Sequence, residues 1–512
     1  MSDPWRQAMK RRVLCLLLAA ILTSGAMASC SESKTNTDTE TAPTASVPSS
    51  TDEVAAEDIA EETAEILPDI PELDFGGEDF TFLTNGANDD CGSDWITYDV
   101  SAEELNGEVI NDAVYERNDY LTGTYNFKLN EVKSTSTAHD MLKKDVKGGG
   151  GAYDACFTGF LRAQTLAADG FTHRMADVPY VDLSKPWWDH RAAEDMMMLG
   201  DVYCGTGDIT VIDNDATWIL MFNKQMMVDL GQEDIYEVVR EDRWSYDKLY
   251  DTLKTASRDV DGNGKMEGPT DIFGMCTTGN TCYGLLYASG EKISPKDADG
   301  IPTLITDLNR ITSVVEKAGM ILGDLDHVFV CDRTGYSTDN LRHIFEEGRA
   351  LFYGEVMQCI TRMRESETDF GVIPWPKFDE SQNGYYNFVH NTAGKTIVVP
   401  VSQNRMEMAG AIVEAMAAKS MYTLTPAYYD VCMTYKYVRD EESASMLNLI
   451  LESRCFDPAY INDWGLASTT YNVIYAGGAN FASKWNGQVK VFNKMKDKMM
   501  TKFEDLKAER GN

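Results

Sequence analysis

The sequence predicts an α/β protein with mostly parallel sheets, and three observations support this fold class. Apolar segments with strand character alternate with segments of helical periodicity along most of the chain. Successive strand, helix and strand segments need crossover connections, which favour parallel pairing. The length of 512 residues exceeds one ordinary domain, and 43% of the residues are hydrophobic, so the chain can build two or three units.

The first alternation begins at Asp79–Thr84 (DFTFLT), which predicts a strand. Glu108–Leu121 carries apolar residues at helical spacing and predicts a helix. Asn126–Val132 alternates as a second strand, and Ala155–Phe157 is a short apolar third strand after a further helix. This order favours a parallel sheet in the first part of the protein.

The same alternation returns in the second part of the chain. The predicted strands there are Trp218–Phe222, Leu351–Tyr353, Val372–Trp375 and Thr396–Val399. The predicted helices are Ser245–Ser257, with Ser245 as its N-cap, Leu341–Glu347, Met406–Lys419, Pro426–Tyr437, Glu441–Ser453 and the charged segment from Ala482.

Residues 1–29 have the features of a lipoprotein signal peptide. Basic residues precede an apolar run from Val13 to Leu22, which is about half the length that spans a bilayer. The residues that follow, MAS and then Cys30, are similar to the bacterial lipobox, in which the cysteine becomes the lipidated first residue. Cleavage near Ala28 as an ordinary signal peptide is the alternative. Residues 30–77 are acidic and rich in Ser and Thr, and they predict a disordered tether.

The formal net charge is −36, which argues against nucleic acid or anionic lipid as a partner, because both need a basic footprint. Of the eleven cysteines, Cys15 lies in the signal peptide and Cys30 is the lipidation candidate. The other nine are scattered without a CxxC pair, which favours buried thiols. A disulfide between Cys276 and Cys282 is the alternative.

Seven segments occur in an order that is informative as a set. They are Gly149–Phe157 (GGGAYDACF), Ile219–Leu230 (ILMFNKQMMVDL), Asp242–Ser257 (DRWSYDKLYDTLKTAS), Ile272–Gly274 (IFG), Ile344–Tyr353 (IFEEGRALFY), Asp369–Lys377 (DFGVIPWPK) and Gly394–Ala418. Together they resemble the extracellular solute-binding proteins of ABC importers, in the large family (family 1) that includes the maltose-type sugar binders. The resemblance runs from about residue 78 to residue 505.

The resemblance implies a two-lobe, periplasmic-binding-protein-like (type 2) fold with a hinge and an interlobe cleft. It places lobe one at about 78–190 plus 394–445, and lobe two at about 191–393 plus 446–508. The ligand lies between the lobes, which close over it by hinge motion. Loops at the carboxyl ends of parallel strands face such a crevice.

Six candidate ligand contacts fall in the first predicted lobe. Asn85 and Asn88 follow the first strand, and an Asn amide both donates to and accepts from hydroxyl groups. The family resemblance assigns ligand contacts to the loop that carries Thr158 and Arg162. An exposed indole packs well on the apolar face of a sugar, which makes Trp187 and Trp188 candidates. For each residue the alternative is a turn, a surface position or a core position.

Six further candidates fall in the second predicted lobe. They are Asp213 and Asp215 before a strand, Trp218 at its start, Asn280 and Tyr283 in a loop rich in Gly and Thr, and Glu355 just after a strand. Short polar side chains beside aromatic rings suit sugar recognition. A carboxylate next to a buried strand needs a partner or a ligand. The alternatives are solvated turns and core packing.

One segment has the spacing of a calcium loop. Asp259, Asp261, Asn263, Lys265 through its carbonyl, and Glu267 occupy positions one, three, five, seven and nine of an EF-hand-like pattern. The pattern fails at position twelve, which is Thr270, and Asp271 comes one place late. A structural Ca²⁺ site is one interpretation and an Asp/Gly turn is the other. No other cofactor is expected.

These features predict an exported, monomeric lipoprotein on the outer face of the cytoplasmic membrane. It captures a small solute, with carbohydrate as the first choice, and delivers it to the permease of an ABC importer. The sequence contains no HExxH, GxSxG or GxxxxGK[ST] motif, so no catalytic residue is assigned. A secreted carbohydrate-active hydrolase is one alternative, and a binding subunit of a sensory system is the other.

Overall fold

The computed structural model of the protein describes residues 65–268, 270–363, 365–434 and 441–511. The predicted signal peptide, the lipidation candidate Cys30 and most of the predicted tether lie outside these residues. The strands are β1 (Glu78–Thr84), β2 (Phe127–Lys133), β3 (Ala155–Gly159), β4 (Trp218–Asn223), β5 (Phe273–Thr277), β6 (Val328–Val330), β7 (Ala350–Val356), β8 (Phe370–Ile373), β9 (Asn387–Phe388), β10 (Lys395–Val398) and β11 (Arg454–Cys455).

The helices alternate with the strands over most of the chain and follow one another in its last hundred residues. They are α1 (Val109–Tyr125), α2 (Ala138–Lys147), α3 (Phe160–Ala168), α4 (His190–Met196), α5 (Ile212–Asp215), α6 (Lys224–Asp229), α7 (Ile235–Arg240), α8 (Tyr246–Ala256), α9 (Thr281–Ala288), α10 (Asn309–Gly323), α11 (Thr338–Glu346), α12 (Gln358–Arg362), α13 (Met406–Ser420), α14 (Leu424–Thr434), α15 (Glu441–Glu452), α16 (Pro458–Ile461), α17 (Leu466–Tyr475) and α18 (Phe481–Glu509).

The first sheet has the strand order β10-β3-β1-β2. β1 is parallel to β2, with Phe82 opposite Glu131, and parallel to β3, with Phe82 opposite Ala155. β10 is antiparallel to β3 and sets Thr396 opposite Thr158. Helices α1 and α2 make the crossovers that parallel pairing requires. The carboxyl ends of β1 and β3 therefore lie at one edge of this sheet.

The second sheet has the strand order β6-β5-β7-β4-β8. β5 is parallel to β6 and to β7, whereas β4 is antiparallel to β7 and to β8. The start of β4 therefore lies at the same edge as the carboxyl ends of β5, β7 and β8. The sheet is mixed rather than mostly parallel, because a single reversed strand sits between β7 and β8.

Three short segments run between the two sheets and form the hinge region. β9 is parallel to β11, with Phe388 opposite Cys455, and Thr217 bridges to Val389. α14 packs on α1, beside the first sheet, while α15 packs on β8 of the second. α14 and α15 thus pack on different sheets.

Residues 66–77 correct the predicted extent of the tether. They form no helix or strand, but Leu73 and Phe75 pack against the core beside the first sheet. The rings of Phe75 and Tyr125 are 6.4 Å apart, and Asp69 pairs with Lys185 at 2.7 Å. Apolar residues within an acidic stretch give this part of the chain a surface to bury.

The sequence patterns missed several elements, among them α10 and β6, and misplaced another. α10 buries one face at positions Ile311, Val314, Val315 and Ala318, and β6 is a three-residue edge strand. The region of Thr281–Ala288, expected as a loop, is helix α9. The predicted N-cap of α8 is confirmed, because the Ser245 hydroxyl accepts the Lys248 amide. Within the described residues no helix combines the length and hydrophobicity needed to cross a membrane.

Candidate ligand-binding cleft

The second sheet presents polar groups at the edge where β5, β7 and β8 end and β4 begins. Trp218 is the first residue of β4, Thr278 follows β5, Glu355 lies near the end of β7, and Trp375 follows β8. All four side chains are buried. Topology alone brings them to one edge, since their positions in the chain span more than 150 residues.

Each of these four side chains has a buried polar atom with no hydrogen-bond partner in the described part of the chain. The atoms are Trp218 Nε1, Thr278 Oγ1, Glu355 Oε2 and Trp375 Nε1. Buried polar groups are normally hydrogen-bonded, because leaving one unpaired costs about 1–3 kcal/mol. Four such atoms at one sheet edge make this edge a candidate ligand site.

Two glycines make room for the indole rings at this edge. A Cβ atom on Gly284 of α9 would lie 2.9 Å from Trp218 Cδ1 and 3.4 Å from Trp375 Cε2. A Cβ atom on Gly354 would lie 2.8 Å from Trp375 Cη2. Because these two residues are glycines and have no side chain, α9 and β7 can approach the indole rings closely and hold them in place.

Glu355 is the only one of the four with an ionisable group. Its Oε1 accepts the backbone amide of Val356 at 3.1 Å, while its side chain is 94% buried (6% exposed). Burial raises the pKa of Glu355 to about 7, against a lowering influence of Arg362. The carboxyl group is therefore poised to accept a hydrogen bond from a bound hydroxyl, which would stabilise its charged form.

The first sheet presents a matching set at the carboxyl ends of β1 and β3. Asn85 follows β1, and its backbone is held by Thr97, whose hydroxyl accepts the Asn85 amide at 3.1 Å. Both amide atoms of the Asn85 side chain, and Thr158 Oγ1, are buried without a partner among the described residues. An amide that offers a donor and an acceptor is typical of sites that bind hydroxyl groups.

The loop before β10 adds side chains that the sequence analysis missed. His390 Nδ1 accepts the backbone amides of Thr392 at 3.4 Å and Ala393 at 3.3 Å. Burial, with Lys395 nearby, lowers the pKa of His390 to about 4, so its ring is neutral at physiological pH. The Cys91 thiol lies 3.1 Å from the Thr392 hydroxyl. No signal local to the sequence joins this loop to β1 and β3.

The loops at the two sheet edges touch each other. After β1, the backbone carbonyl of Asp94 accepts the Gln358 side-chain amide at 2.8 Å. The Asp94 carboxylate lies 3.4 Å from the Arg362 guanidinium, and both Gln358 and Arg362 belong to α12, just after β7. Loops from the carboxyl ends of both sheets thus close over the same space.

Aromatic rings line the part of this edge nearest β5. Tyr283 of α9 lies 4.7 Å from Tyr460 and 5.0 Å from Tyr471, measured between ring centroids. Tyr471 and Tyr475 are stacked at 5.8 Å, and the Arg333 guanidinium lies 4.3 Å from the Tyr475 centroid. Asn280 immediately precedes α9 and is half-buried. Ligand contact by Asn280 and Tyr283 stays a prediction, now on a helix and not on a loop.

The prediction that Trp187 and Trp188 form a ligand platform is wrong for this structure. Both indoles are buried in the core beside the first sheet. Their Nε1 atoms donate to the two oxygens of Glu414, at 3.1 and 2.9 Å. Burial raises the pKa of Glu414 to about 7, against these hydrogen bonds. Both indoles are therefore hydrogen-bonded to an internal carboxylate from α13, which lies more than 200 residues away in the sequence.

Asp213 and Asp215 also prove to be internal residues. Asp213 accepts from Arg454 and from the Thr206 hydroxyl, each at 3.0 Å. Asp215 accepts from Tyr98 at 2.7 Å and from Tyr428 at 2.8 Å. Burial raises the pKa of Asp213 to about 6 and that of Asp215 to about 7. Their carboxylate oxygens accept hydrogen bonds from other residues of the chain, so the prediction that they contact a sugar is corrected.

Asn88 and Arg162 lie on the surface of the loops beside β1 and β3. The Asn88 amide donates to the Thr135 carbonyl at 3.3 Å, and the residue is exposed. Arg162 makes two hydrogen bonds to Asp90, at 2.6 and 3.1 Å. Neither joins the buried polar atoms described above, and their contact with ligand stays a prediction.

The predicted calcium loop follows α8 and is largely exposed. Carboxylate oxygens of Asp259, Asp261 and Asp271 converge to within 4.8 Å of one another. Asp259 accepts the backbone amides of Gly262 and Gly264, and Asn263 donates to Glu267 at 3.2 Å. Both alternatives, a cation site and an Asp/Gly turn, remain compatible with these contacts, so calcium binding stays a prediction.

The two sheets with their flanking helices, the three crossings and the facing edges define the two-lobe fold of solute-binding proteins. Solved structures confirm this fold. The GacH receptor of Streptomyces glaucescens, solved unliganded and with acarbose, superposes with a TM-score of 0.52 at 14% identity, over 82% of this chain and 99% of that chain. A cyclo/maltodextrin-binding protein complexed with maltotetraose gives a TM-score of 0.54 at 14% identity, over 81% and 96%.

A third similar structure is the maltose-binding periplasmic protein MalE from Listeria monocytogenes in complex with maltose. Its TM-score is 0.53 at 14% identity, over 81% of this chain and 97% of that chain. No family model matches the sequence, and no curated protein sequence matches it. The likeness therefore lies in the fold, and the proteins that share it here are binding proteins.

Proposed function

We propose that this chain is a solute-binding lipoprotein of an ABC importer, and that it captures a carbohydrate between its two lobes. The observation that carries the proposal is the set of buried polar atoms on both sheet edges that have no partner among the described residues, led by those of Asn85, Glu355 and Trp375. The set combines donors and acceptors, which is what a ligand with several hydroxyl groups requires. Similar structures hold acarbose, maltotetraose and maltose, which supports the same class of ligand.

Binding would proceed by closure of the lobes. Ligand that contacts Asn85 on one lobe and Glu355 on the other has a higher affinity for the closed form, and it shifts the population towards that form. The closed form would then present both lobes to the permease. Lipidation at Cys30, with residues 31–65 as a tether, would hold the protein at the outer face of the cytoplasmic membrane.

The proposal is tested by screening the chain from residue 30 against oligosaccharides, monosaccharides, polyols and peptides for thermal stabilisation. A ligand at a hundred times its Kd adds about 2.7 kcal/mol to the free energy of unfolding. Stabilisation by an oligosaccharide, reduced in the Glu355→Gln variant, is the expected result. A carbohydrate that is hydrolysed during the assay would instead favour the hydrolase alternative, and no carbohydrate response at all would contradict the proposal.

A further inference from the structure

The longest helix carries a charge opposite to that of the protein as a whole. α18 spans Phe481–Glu509 and contains seven lysines and four acidic residues, and its first part, residues 484–502, holds six of the lysines and a single acidic residue, Asp497. The complete sequence has a formal net charge of −36. The net charge of the whole sequence conceals local patches of opposite sign. The argument against anionic lipid as a partner rested on that net charge alone.

The structure shows which side of α18 is free. Phe481, Trp485, Phe492, Met500 and Phe503 are buried and anchor the helix to the body. Of the lysines, Lys496 donates to the Pro302 carbonyl and Lys502 pairs with Asp169 at 2.5 Å. These two lysines serve the packing of the helix.

The remaining four lysines of this stretch form a separate surface. Lys484, Lys490, Lys494 and Lys498 are exposed, and their side chains make no ion pair or hydrogen bond with any residue that the structure describes. Val491 and Met495 lie between them, 43% and 41% exposed. We call this set the lysine face. At 1.5 Å per residue it is about 21 Å long, and its members share one side of the helix.

We propose that the lysine face binds an anionic phospholipid surface. The four lysines supply the electrostatic attraction to anionic lipid that interfacial helices also use, and Val491 and Met495 add a small exposed apolar area. The acidic body does not prevent this contact, because charges more than about 8 Å away are largely screened at physiological ionic strength. Each lysine close to an anionic leaflet strengthens partitioning by about fivefold.

The surface gives the tethered protein an orientation. A lipid anchor at Cys30, as proposed above, would keep the local concentration of the protein at the membrane high without fixing its orientation. Attraction at the lysine face and repulsion elsewhere would turn α18 towards the lipid. This inference does not depend on the ligand of the cleft, and it can fail while the proposed function stands.

The test uses the chain from residue 30 with Cys30→Ser, so that no acyl chain contributes to binding. Co-sedimentation is measured with vesicles of equal parts phosphatidylglycerol and phosphatidylcholine, and with phosphatidylcholine alone. The variant combines Lys484→Gln, Lys490→Gln, Lys494→Gln and Lys498→Gln. The matched control combines Lys128→Gln, Lys144→Gln, Lys147→Gln and Lys254→Gln, which removes the same charge from exposed positions elsewhere.

Binding to the anionic vesicles, weakened by salt and reduced at least about tenfold in the lysine-face variant but not in the control, is the expected result. Circular dichroism verifies that both variants are folded. Equal binding by the two variants, or no preference for anionic over neutral vesicles, overturns the proposal. Binding to a soluble phosphate polymer that anionic vesicles fail to displace would overturn the assignment to lipid.

Discussion

The guanidinium of Arg454 donates to the carboxylate of Asp213 over 3.0 Å, although the two residues are 241 positions apart in the chain. Asp213 lies just before the first passage into the second sheet, and Arg454 lies in β11, after the last passage. A second nitrogen of Arg454 donates to Asp189 at 2.5 Å. One buried cation thus joins separate segments of the hinge region.

Replacing Arg454 is expected to destabilise the protein strongly. Arg454→Met leaves Asp189 and Asp213 buried without their cation, and breaking such a buried pair from one side costs about 3–5 kcal/mol. Urea denaturation followed by circular dichroism measures the loss in the free energy of unfolding. Arg240→Met is the control, because its pairs with Glu237 and Glu442 are on the surface and contribute little. Similar small losses in both variants would contradict the structural role of Arg454.

Two tryptophans with the same chemistry should respond in opposite ways to the same change. Trp375→Phe removes an indole donor that has no partner among the described residues, so it should weaken oligosaccharide binding by about tenfold. Trp188→Phe removes the donor to Glu414 and should leave affinity unchanged while stability falls by about 1–3 kcal/mol. Calorimetric titration and urea denaturation separate the two effects. An unchanged affinity in Trp375→Phe would remove that indole from the site.

The buried carboxyl of Glu355 predicts how stability depends on pH. Its pKa is about 7 in the folded protein, against 4.5 as its ordinary value. Because the folded state holds this proton more tightly, its contribution is complete below pH 4.5 and is lost as the pH rises to about 7. Glu355→Gln removes this slope. Between pH 5 and pH 8 the difference in the free energy of unfolding between the original protein and the variant should therefore change, by about 1.4 kcal/mol for each unit by which the pKa is shifted. Parallel curves would contradict the shift.

Ligand binding should show the opposite pH trend at the same residue. A hydroxyl that donates to Glu355 binds the carboxylate better than the neutral acid, since charge-assisted hydrogen bonds are stronger. Affinity should therefore rise as the pH passes through about 7 and then level off. The Glu355→Gln variant should lack this rise. An affinity that falls with pH would mean that the neutral acid donates to the ligand.

The calcium prediction has a direct test in thermal denaturation with CaCl₂ or a chelator. If the loop binds Ca²⁺, chelation lowers the unfolding temperature, and Asp259→Asn or Asp261→Asn removes the effect. Asp297→Asn is the matched control, because Asp297 lies in another Asp/Gly turn and accepts the amides of Asp299 and Ile301. An unfolding temperature that does not respond to either addition identifies the segment as a turn.

Strand and helix periodicity predicted most of the fold, including β1, β4 and the capped helix α8. It also placed Asn85, Trp218 and Glu355 next to strand ends, which is where the structure has them. Trp375 could also have been predicted as a site residue, because it lies in Asp369–Lys377, one of the segments that carry the family resemblance. Strand ends are visible in a sequence, since apolar runs stop there.

The errors share one physical cause, which is contact between distant parts of the chain. In the sequence, Trp187 and Trp188 have no evident partner. In the folded chain, α13 places Glu414 within hydrogen-bond distance of both indoles. Asp213 and Asp215 look like a polar turn until Arg454 and Tyr428 reach them. A polar residue that binds a ligand and one that binds a distant partner have the same local sequence, so only the folded chain separates them.

The central claim is that a carbohydrate sits between the two sheet edges and satisfies their buried polar atoms. The most direct measurement is a crystal structure of the chain with the oligosaccharide that stabilises it most in the thermal screen. The account predicts sugar hydroxyls within hydrogen-bond distance of Asn85 on one lobe and of Glu355 or Trp375 on the other. A sugar bound elsewhere, with these side chains untouched, would contradict it.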